Sequence, residues 1–167
     1  SLGAALVSMV ASLTHEKKDY IGSRKKMNEI GLAAQDLKAR LIHLVEEDTQ
    51  AFNSILVANR LPDKTSEQKE YKEKKVFQAN KYAIEIPLET AKLSLEVIKL
   101  SVDLIEYGNS NSVTDAEVAS EVGLAGVRGG CMNVMINISG LENIDDYDPD
   151  IQHKIDSLND EANGLYK

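Results

Sequence analysis

One cysteine, three prolines and no apolar run approaching a membrane span are all that 167 residues provide in those categories. A span needs about 20 consecutive apolar residues, so nothing here is predicted to cross or bind a bilayer. The single thiol, Cys131, excludes an internal disulfide and fits a reducing, cytoplasmic compartment. Its neighbours Gly129, Gly130, Met132 and Val134 mark it as a buried thiol rather than a nucleophile. The histidines, His15, His43 and His153, stand alone, with no HxxxH, HExxH or CxxC spacing, so no metal ligand set is predicted. There is no GxSxG, and the glycines follow no strand, which excludes P-loop and Rossmann phosphate cradles. A formal charge of −8 argues against a nucleic-acid partner. The apolar opening SLGAALVSMVASL lacks a basic flank and runs on into polar helical sequence, so it does not read as a signal peptide.

What is there is helical periodicity almost throughout, without strand alternation bounded by hairpin signals. Residues 1 to about 15 form a first helix that starts without a cap or a start methionine, as if upstream sequence were missing. A second helix spans Ser23 to Asn59 and ends at Leu61-Pro62-Asp63. Thr65-Ser66-Glu67-Gln68 is a capping box opening a third helix, which Pro87 is expected to kink or break. A fourth then covers Leu88 to Tyr107, with Gly108 as its cap. The fifth is predicted over Thr114 to Ser139, opened by a second capping box at Thr114-Asp115-Ala116-Glu117. A last helix takes Asp148 as N-cap and Pro149 in its first turn. The chain reads as one all-α domain of long antiparallel helices over residues 1–167. Helices apolar on more than one stripe, around 84–104 and 118–138, predict a homo-oligomer built on a dimer.

Three features carry the candidate chemistry. Gly123, Gly126, Gly129 and Gly130 lie inside the fifth helix, each costing roughly 1 kcal/mol against alanine, so a helix or a ligand must approach this backbone closely. Asn133 and Asn137 follow on one turn-spaced face, either bracing helix packing or holding a ligand. The third feature is Asp48, mid-helix in Leu44-Val45-Glu46-Glu47-Asp48-Thr49-Gln50-Ala51-Phe52. At 100° per residue it shares the face of Leu41, Leu44, Val45, Phe52 and Ile55, while Glu46 and Glu47 turn away. There it is either a desolvated general acid–base or a carboxylate paired with a lysine or asparagine of another helix. Lysines at 17–18 and at 72, 74 and 75, and the basic run at 24–26, are ordinarily solvated faces. In an acidic chain such a cluster is also suited to a small anionic ligand.

SLGAALVSMV, the acidic helix ending EEDTQAF, the IPLETA segment and the order GN, TD, VASEVGLAG, NVMINI resemble the cyclodeaminase domain of formimidoyltransferase-cyclodeaminase and the bacterial methenyltetrahydrofolate cyclohydrolases. The resemblance covers nearly the whole chain. It implies an all-helical, dimeric enzyme of folate one-carbon chemistry without metal or other cofactor, with Asp48, just before Ala51-Phe52, as the catalytic residue. The reaction it implies closes N10 of 5-formiminotetrahydrofolate onto the amidine carbon, with ammonia leaving. Asp48 would protonate the departing nitrogen and take the N10 proton; a cyclohydrolase would use it on water and the methenyl carbon. Lys17 and Lys18 are then candidates for the glutamate carboxylates. Asn109, Thr114 and Asp115 become candidates for the pterin edge, and Asn133 and Asn137 for either substrate or packing. Relatives carry a glycine-rich turn upstream of SLGAALVSMV that this chain does not show.

Overall fold

The computed structural model describes residues 1–141 and 147–166. Among the described residues five α-helices build the fold: α1 (Leu2–Glu16), α2 (Arg24–Asn59), α3 (Ser66–Tyr107), α4 (Val113–Ile138) and α5 (Ile151–Leu165). Short 3-10 turns at Lys18–Ser23 and Ser110–Ser112 precede α2 and α4. Every sequential pair runs antiparallel. Gln35 meets Ser8 and Arg24 meets His15 across α1 and α2, while Lys26 meets Asp103 and Arg40 meets Glu89 across α2 and α3. One apolar cluster joins α1 through α4 around Val7, Val10, Met27, Ile30 and Leu104. A second joins α3, α4 and α5 around Ile84, Ile98, Val127, Val134 and Ile151.

The central pair is α3 against α4, and the glycines of α4 set its closeness. A Cβ on Gly123 would stand 2.7 Å from Ile98, and one on Gly126 would stand 2.9 Å from the Ser94 Cβ. On Gly130 it would stand 2.7 Å from the Pro87 carbonyl oxygen and 2.9 Å from the Ala91 Cβ. Real side chains do not tolerate such distances, so these glycines serve helix–helix approach. Gly129 differs: a Cβ there meets nothing within 4 Å.

The expected interruption at Pro87 does not occur; α3 is one helix of 42 residues. A proline inside a helix leaves the carbonyl four residues earlier without its amide donor. Here that carbonyl belongs to Ala83, and the Asn137 side-chain amide of α4 donates to it at 2.7 Å. The damage is repaired by a residue 54 positions away. Replacing Asn137 with leucine is therefore expected to cost about 1–3 kcal/mol, the penalty for a stranded buried acceptor. Urea unfolding of the two proteins reads that difference as a lower midpoint.

Other helix ends follow the sequence with small displacements. The Thr65 box is formed, with Gln68 N–H donating to Thr65 Oγ1 and Thr65 N–H donating to Gln68 Oε1, both at 3.3 Å. Gly108 ends α3 with extended backbone, and any Cβ there would overlap the Leu104 carbonyl. The second capping box is not used: α4 starts one residue early, behind Ser112, because the Ser110–Ser112 turn already delivers the chain in helical geometry. Thr114 and Asp115 lie inside its first turn. At α5 the expected cap is displaced: the helix begins at Ile151 with Asp150 as N-cap, Pro149 lies ahead of its first turn, and Asp148 acts two residues upstream of the cap. Its carboxylate accepts from Asp150 N–H at 3.0 Å and its carbonyl from Ile151 N–H at 3.1 Å. Cys131 is buried as expected, and burial pushes its thiol pKa up, keeping it protonated and unreactive.

Candidate active site

Where α2, the Pro87 region of α3 and the glycine stretch of α4 meet, the helices leave an open cleft of about 450 Å³. Leu41, Leu44, Val45, Asp48 and Thr49 line it from α2, and Ile86, Pro87 and Thr90 from α3. Its third wall is Gly126, Gly129, Gly130 and Asn133 of α4, bare backbone apart from the last. At Gly129, where a Cβ would meet nothing within 4 Å, a flat molecule can lie directly on the backbone.

Among the described residues, Asp48 is the only titratable side chain lining the cleft. The expected face is right, but the expected burial is not: Asp48 is exposed to solvent. The apolar residues beside it, Val45 at 68% and Phe52 at 62%, are exposed too, so this part of the α2 stripe faces an open site rather than a core. Thr49 and Thr90 add hydroxyls. Each donates to the carbonyl one turn back, at 3.2 and 3.1 Å, and retains lone pairs for a donor in the cleft. Asn133 is exposed and has no hydrogen-bond partner among the described residues. Asn137, one turn further, is committed to Ala83 and does not line the cleft.

The remaining sequence candidates gather toward the start of α4, about 17–29 Å from the cleft's α4 residues at 1.5 Å per residue. Lys17 Nζ donates to Asn109 Oδ1 at 2.9 Å. Asn109 is 4% exposed, and its other groups are engaged: its N–H donates to Thr14 Oγ1 at 3.0 Å and its side-chain amide to Ser112 Oγ at 3.3 Å. This set joins the ends of α1 and α3 to the start of α4. Lys18 and Thr114 are exposed nearby, and Asp115 is half-buried in the first turn of α4, where its charge suits the helix dipole. Within one chain, then, Asp48 and Asn133 share a cleft, whereas Lys17, Lys18, Asn109, Thr114 and Asp115 do not reach it.

Sequence reasoning missed a charged clamp on the other side of α2. Arg40 binds Glu89 through Nε at 2.7 Å and Nη2 at 2.8 Å, and binds Glu47 through Nη1 at 2.8 Å and Nη2 at 3.0 Å. His43 Nε2 lies 3.1 Å from Glu47 Oε1. The Arg40–Glu47 spacing of two helical turns was a usable signal; Glu89, on another helix, gave none. The hydrogen bonds and charge of Arg40 lower the pKa of Glu47 below its ordinary 4.5. A carboxyl with a lowered folded-state value stabilises the fold above its unfolded value, and that contribution disappears as pH falls through the lowered one. Melting temperature should therefore fall as pH drops below 4.5. Arg40→Met should show a shallower fall than wild type over the same range in a thermal-melt series.

Among the described residues, no cluster of three or more His, Cys, Asp or Glu could hold a metal ion, and no helix is long and apolar enough to cross a membrane. Fold and cleft together define an all-helical protein whose open site offers one carboxyl, two hydroxyls, an amide and a bare helix wall. That is equipment for moving a proton on a flat, polar substrate.

Comparisons with known proteins bear on the fold and the family. The profile of the family described as formiminotransferase-cyclodeaminase matches residues 1–157. A methenyltetrahydrofolate cyclohydrolase of Methylorubrum extorquens is 35% identical over 142 residues, covering 85% of this chain and 68% of that protein. The formimidoyltransferase-cyclodeaminase of Rattus norvegicus is 29% identical over 162 residues, covering 97% of this chain but only 30% of its own length. A solved formiminotetrahydrofolate cyclodeaminase from Thermotoga maritima shares the fold, with a TM-score of 0.85 at 23% identity over 99% of this chain and 79% of the other. The chain belongs to the formiminotransferase-cyclodeaminase family and is an enzyme of that type.

Proposed function

We propose that this chain is a formimidoyltetrahydrofolate cyclodeaminase, converting 5-formiminotetrahydrofolate to 5,10-methenyltetrahydrofolate and ammonia. One observation carries the reading: the carboxylate picked out by the family's motif, Asp48, is, among the described residues, the sole titratable group of an open, glycine-walled cleft. In the reaction, N10 attacks the protonated amidine carbon and a five-membered ring closes. N10 gives up its proton, the former amidine nitrogen receives one, and the bond from carbon to that nitrogen breaks. Atoms and charge balance if Asp48 carries one proton from N10 to the departing nitrogen, with no cofactor consumed. Because the attack is intramolecular, holding the ring system flat against the open backbone at Gly129 supplies much of the acceleration. The Asn133 amide and the Thr49 and Thr90 hydroxyls are placed to meet the donors and acceptors of the pterin edge.

The proposed working form is a homodimer, in the cytoplasm. Val118, Val122, Ala125, Gly129, Met132 and Ile136 recur at spacings of four and three along α4, a heptad stripe without a charge. Val118, Met132 and Ile136 are 50%, 65% and 68% exposed. A second copy crossing this stripe antiparallel would wall the cleft and exclude water from Asp48. It would also turn its own Lys17, Lys18, Thr114 and Asp115 end toward the cleft, bringing cations within reach of the folate carboxylates.

A second reading is favoured by the 35% identity to the Methylorubrum extorquens cyclohydrolase. There the carboxyl would activate water against the methenyl carbon. Absorbance of the methenyl chromophore decides between them. A rise on 5-formiminotetrahydrofolate establishes the cyclodeaminase, and a loss on 5,10-methenyltetrahydrofolate alone establishes the cyclohydrolase.

A further inference from the structure

α1 covers only half of the α2 face it packs on. A Cβ on Gly31 would meet the Ala11 Cβ at 3.7 Å, and Gln35 donates to Ser8 Oγ at 2.6 Å. Five helical turns take about 18 residues, so Val45, Thr49 and Phe52 repeat the angular positions of Met27, Gly31 and Ala34. Met27 and Ala34 are buried beneath α1, whereas Val45 and Phe52 are exposed. The second half of the face therefore lacks the helix that covers the first. Leu56 extends the bare row by one more turn, 39% exposed.

α1 carries a row of the same pattern on its outer side. Leu2, Leu6, Met9 and Leu13 follow at spacings of four, three and four, as Val45, Thr49, Phe52 and Leu56 do. Leu2, Met9 and Leu13 are all exposed. The two rows also lie at opposite ends of α4. A Cβ on Gly3 would stand 3.0 Å from the Ala119 carbonyl oxygen, which puts α1 beside the start of α4. Val45 and Thr49 lie across the cleft from Gly129 and Asn133, towards its end. A two-fold axis through the middle of the apolar α4 stripe exchanges those ends, so the ridge made by α1 meets the hollow left over α2. Within a chain the two helices are antiparallel, so between copies they run parallel, Leu2 opposite Val45 and Leu13 opposite Leu56.

Size argues the same way. A stable dimer buries about 800 Å² on each partner, contributed by about 20–30 residues. The α4 stripe supplies six positions, two of them alanine and glycine, and falls short alone. The rows on α1 and α2 add four positions each.

We propose that α1 of each copy packs on the Val45–Leu56 face of α2 in a second copy, so that the partner's first helix walls each Asp48 cleft. This contact extends the homodimer proposed above and rests on that reading. It lays an apolar helix beside an otherwise exposed carboxyl and keeps bulk water from it.

The test is cross-linking of the full chain carrying Met9→Cys and Phe52→Cys, with a bis-maleimide about one helical turn long. Both positions are exposed and the native Cys131 is buried, so wild type is the blank. Ser8, next to Met9, meets Gln35, and Phe52 lies about 26 Å further along α2, so one chain cannot link to itself. The double variant should run as a covalent dimer on a reducing gel. Each single variant should stay monomeric there, as should the Leu13→Cys/Val45→Cys pair, which helices packed in the reverse direction would join. Adding Asp48→Asn should leave linking unchanged, so the contact and the chemistry of the cleft fail separately. Phe52→Glu, with helical circular dichroism retained, should weaken dimerisation in sedimentation by about tenfold. A wild type that sediments as a monomer, a dimer that leaves the Met9–Phe52 pair unlinked, linking in the reversed pair instead, or a Phe52→Glu dimer as tight as wild type each overturns the contact.

Discussion

Asp48→Asn is expected to lower turnover of 5-formiminotetrahydrofolate by about 10²–10⁴-fold, the usual range for loss of a positioned acid–base group. The amide is nearly isosteric, so the cleft keeps its shape, but it can neither accept the N10 proton nor deliver one. Because Asp48 is exposed and makes no ion pair among the described residues, its removal should leave thermal stability within about 0.5 kcal/mol of wild type. KM should change little, since proton transfer matters in the transition state rather than in the bound ground state. Comparing kcat, KM and melting temperature separates this outcome from a structural role. A fall in stability that matches the fall in activity would make Asp48 a packing residue.

The largest effect on stability is expected at Gly130. Valine there would place a Cβ 2.7 Å from the Pro87 carbonyl oxygen and 2.9 Å from the Ala91 Cβ, with two further methyl groups to accommodate. Backbone cannot move aside as a flexible side chain can, and both neighbours sit in the buried face of α3. Overpacking of this kind costs about 3 kcal/mol, outweighing any gain in helix propensity, and lowers the melting temperature by about 6–12 °C. Ala91→Gly should recover part of the loss by relieving one of the two contacts, a coupling that a double-mutant cycle measures. Gly129→Ala is the internal contrast. With nothing within 4 Å it carries no such penalty within the chain, so any harm it does reports on a neighbour that packs there from outside.

How far the sequence could be read depended on where each cause lay. Local causes were legible. The Thr65 box, the Gly108 stop and the long amphipathic run of α2 are each specified by residues within a turn or two of each other. Pro87 was misread because its remedy is remote: no pattern near residue 87 announces that Asn137 will supply a donor to Ala83. The glycines of α4 were correctly seen as a close approach, yet only coordinates separate Gly123, Gly126 and Gly130, which meet α3, from Gly129, which meets nothing. Asp48 was placed on the right face with the wrong burial, since an apolar stripe looks the same whether it faces a core or an open cleft. The remaining candidates share a motif order, and α4 holds its parts about 17–29 Å apart within one chain. In the proposed dimer a second copy closes that gap, which ties the dimer to the proposed site.

The most direct test of that account is where a folate binds. Amides of Gly126, Gly129 and Asn133 would be followed by NMR as the stable analogue 5-formyltetrahydrofolate is added. Shifts centred on those residues and on Asp48 and Thr49 are predicted. Binding that leaves Gly129 and Asn133 unmoved, with its shifts confined to Lys17, Asn109 and Thr114, would place the pterin at the other end of α4 and contradict the assignment of Asp48.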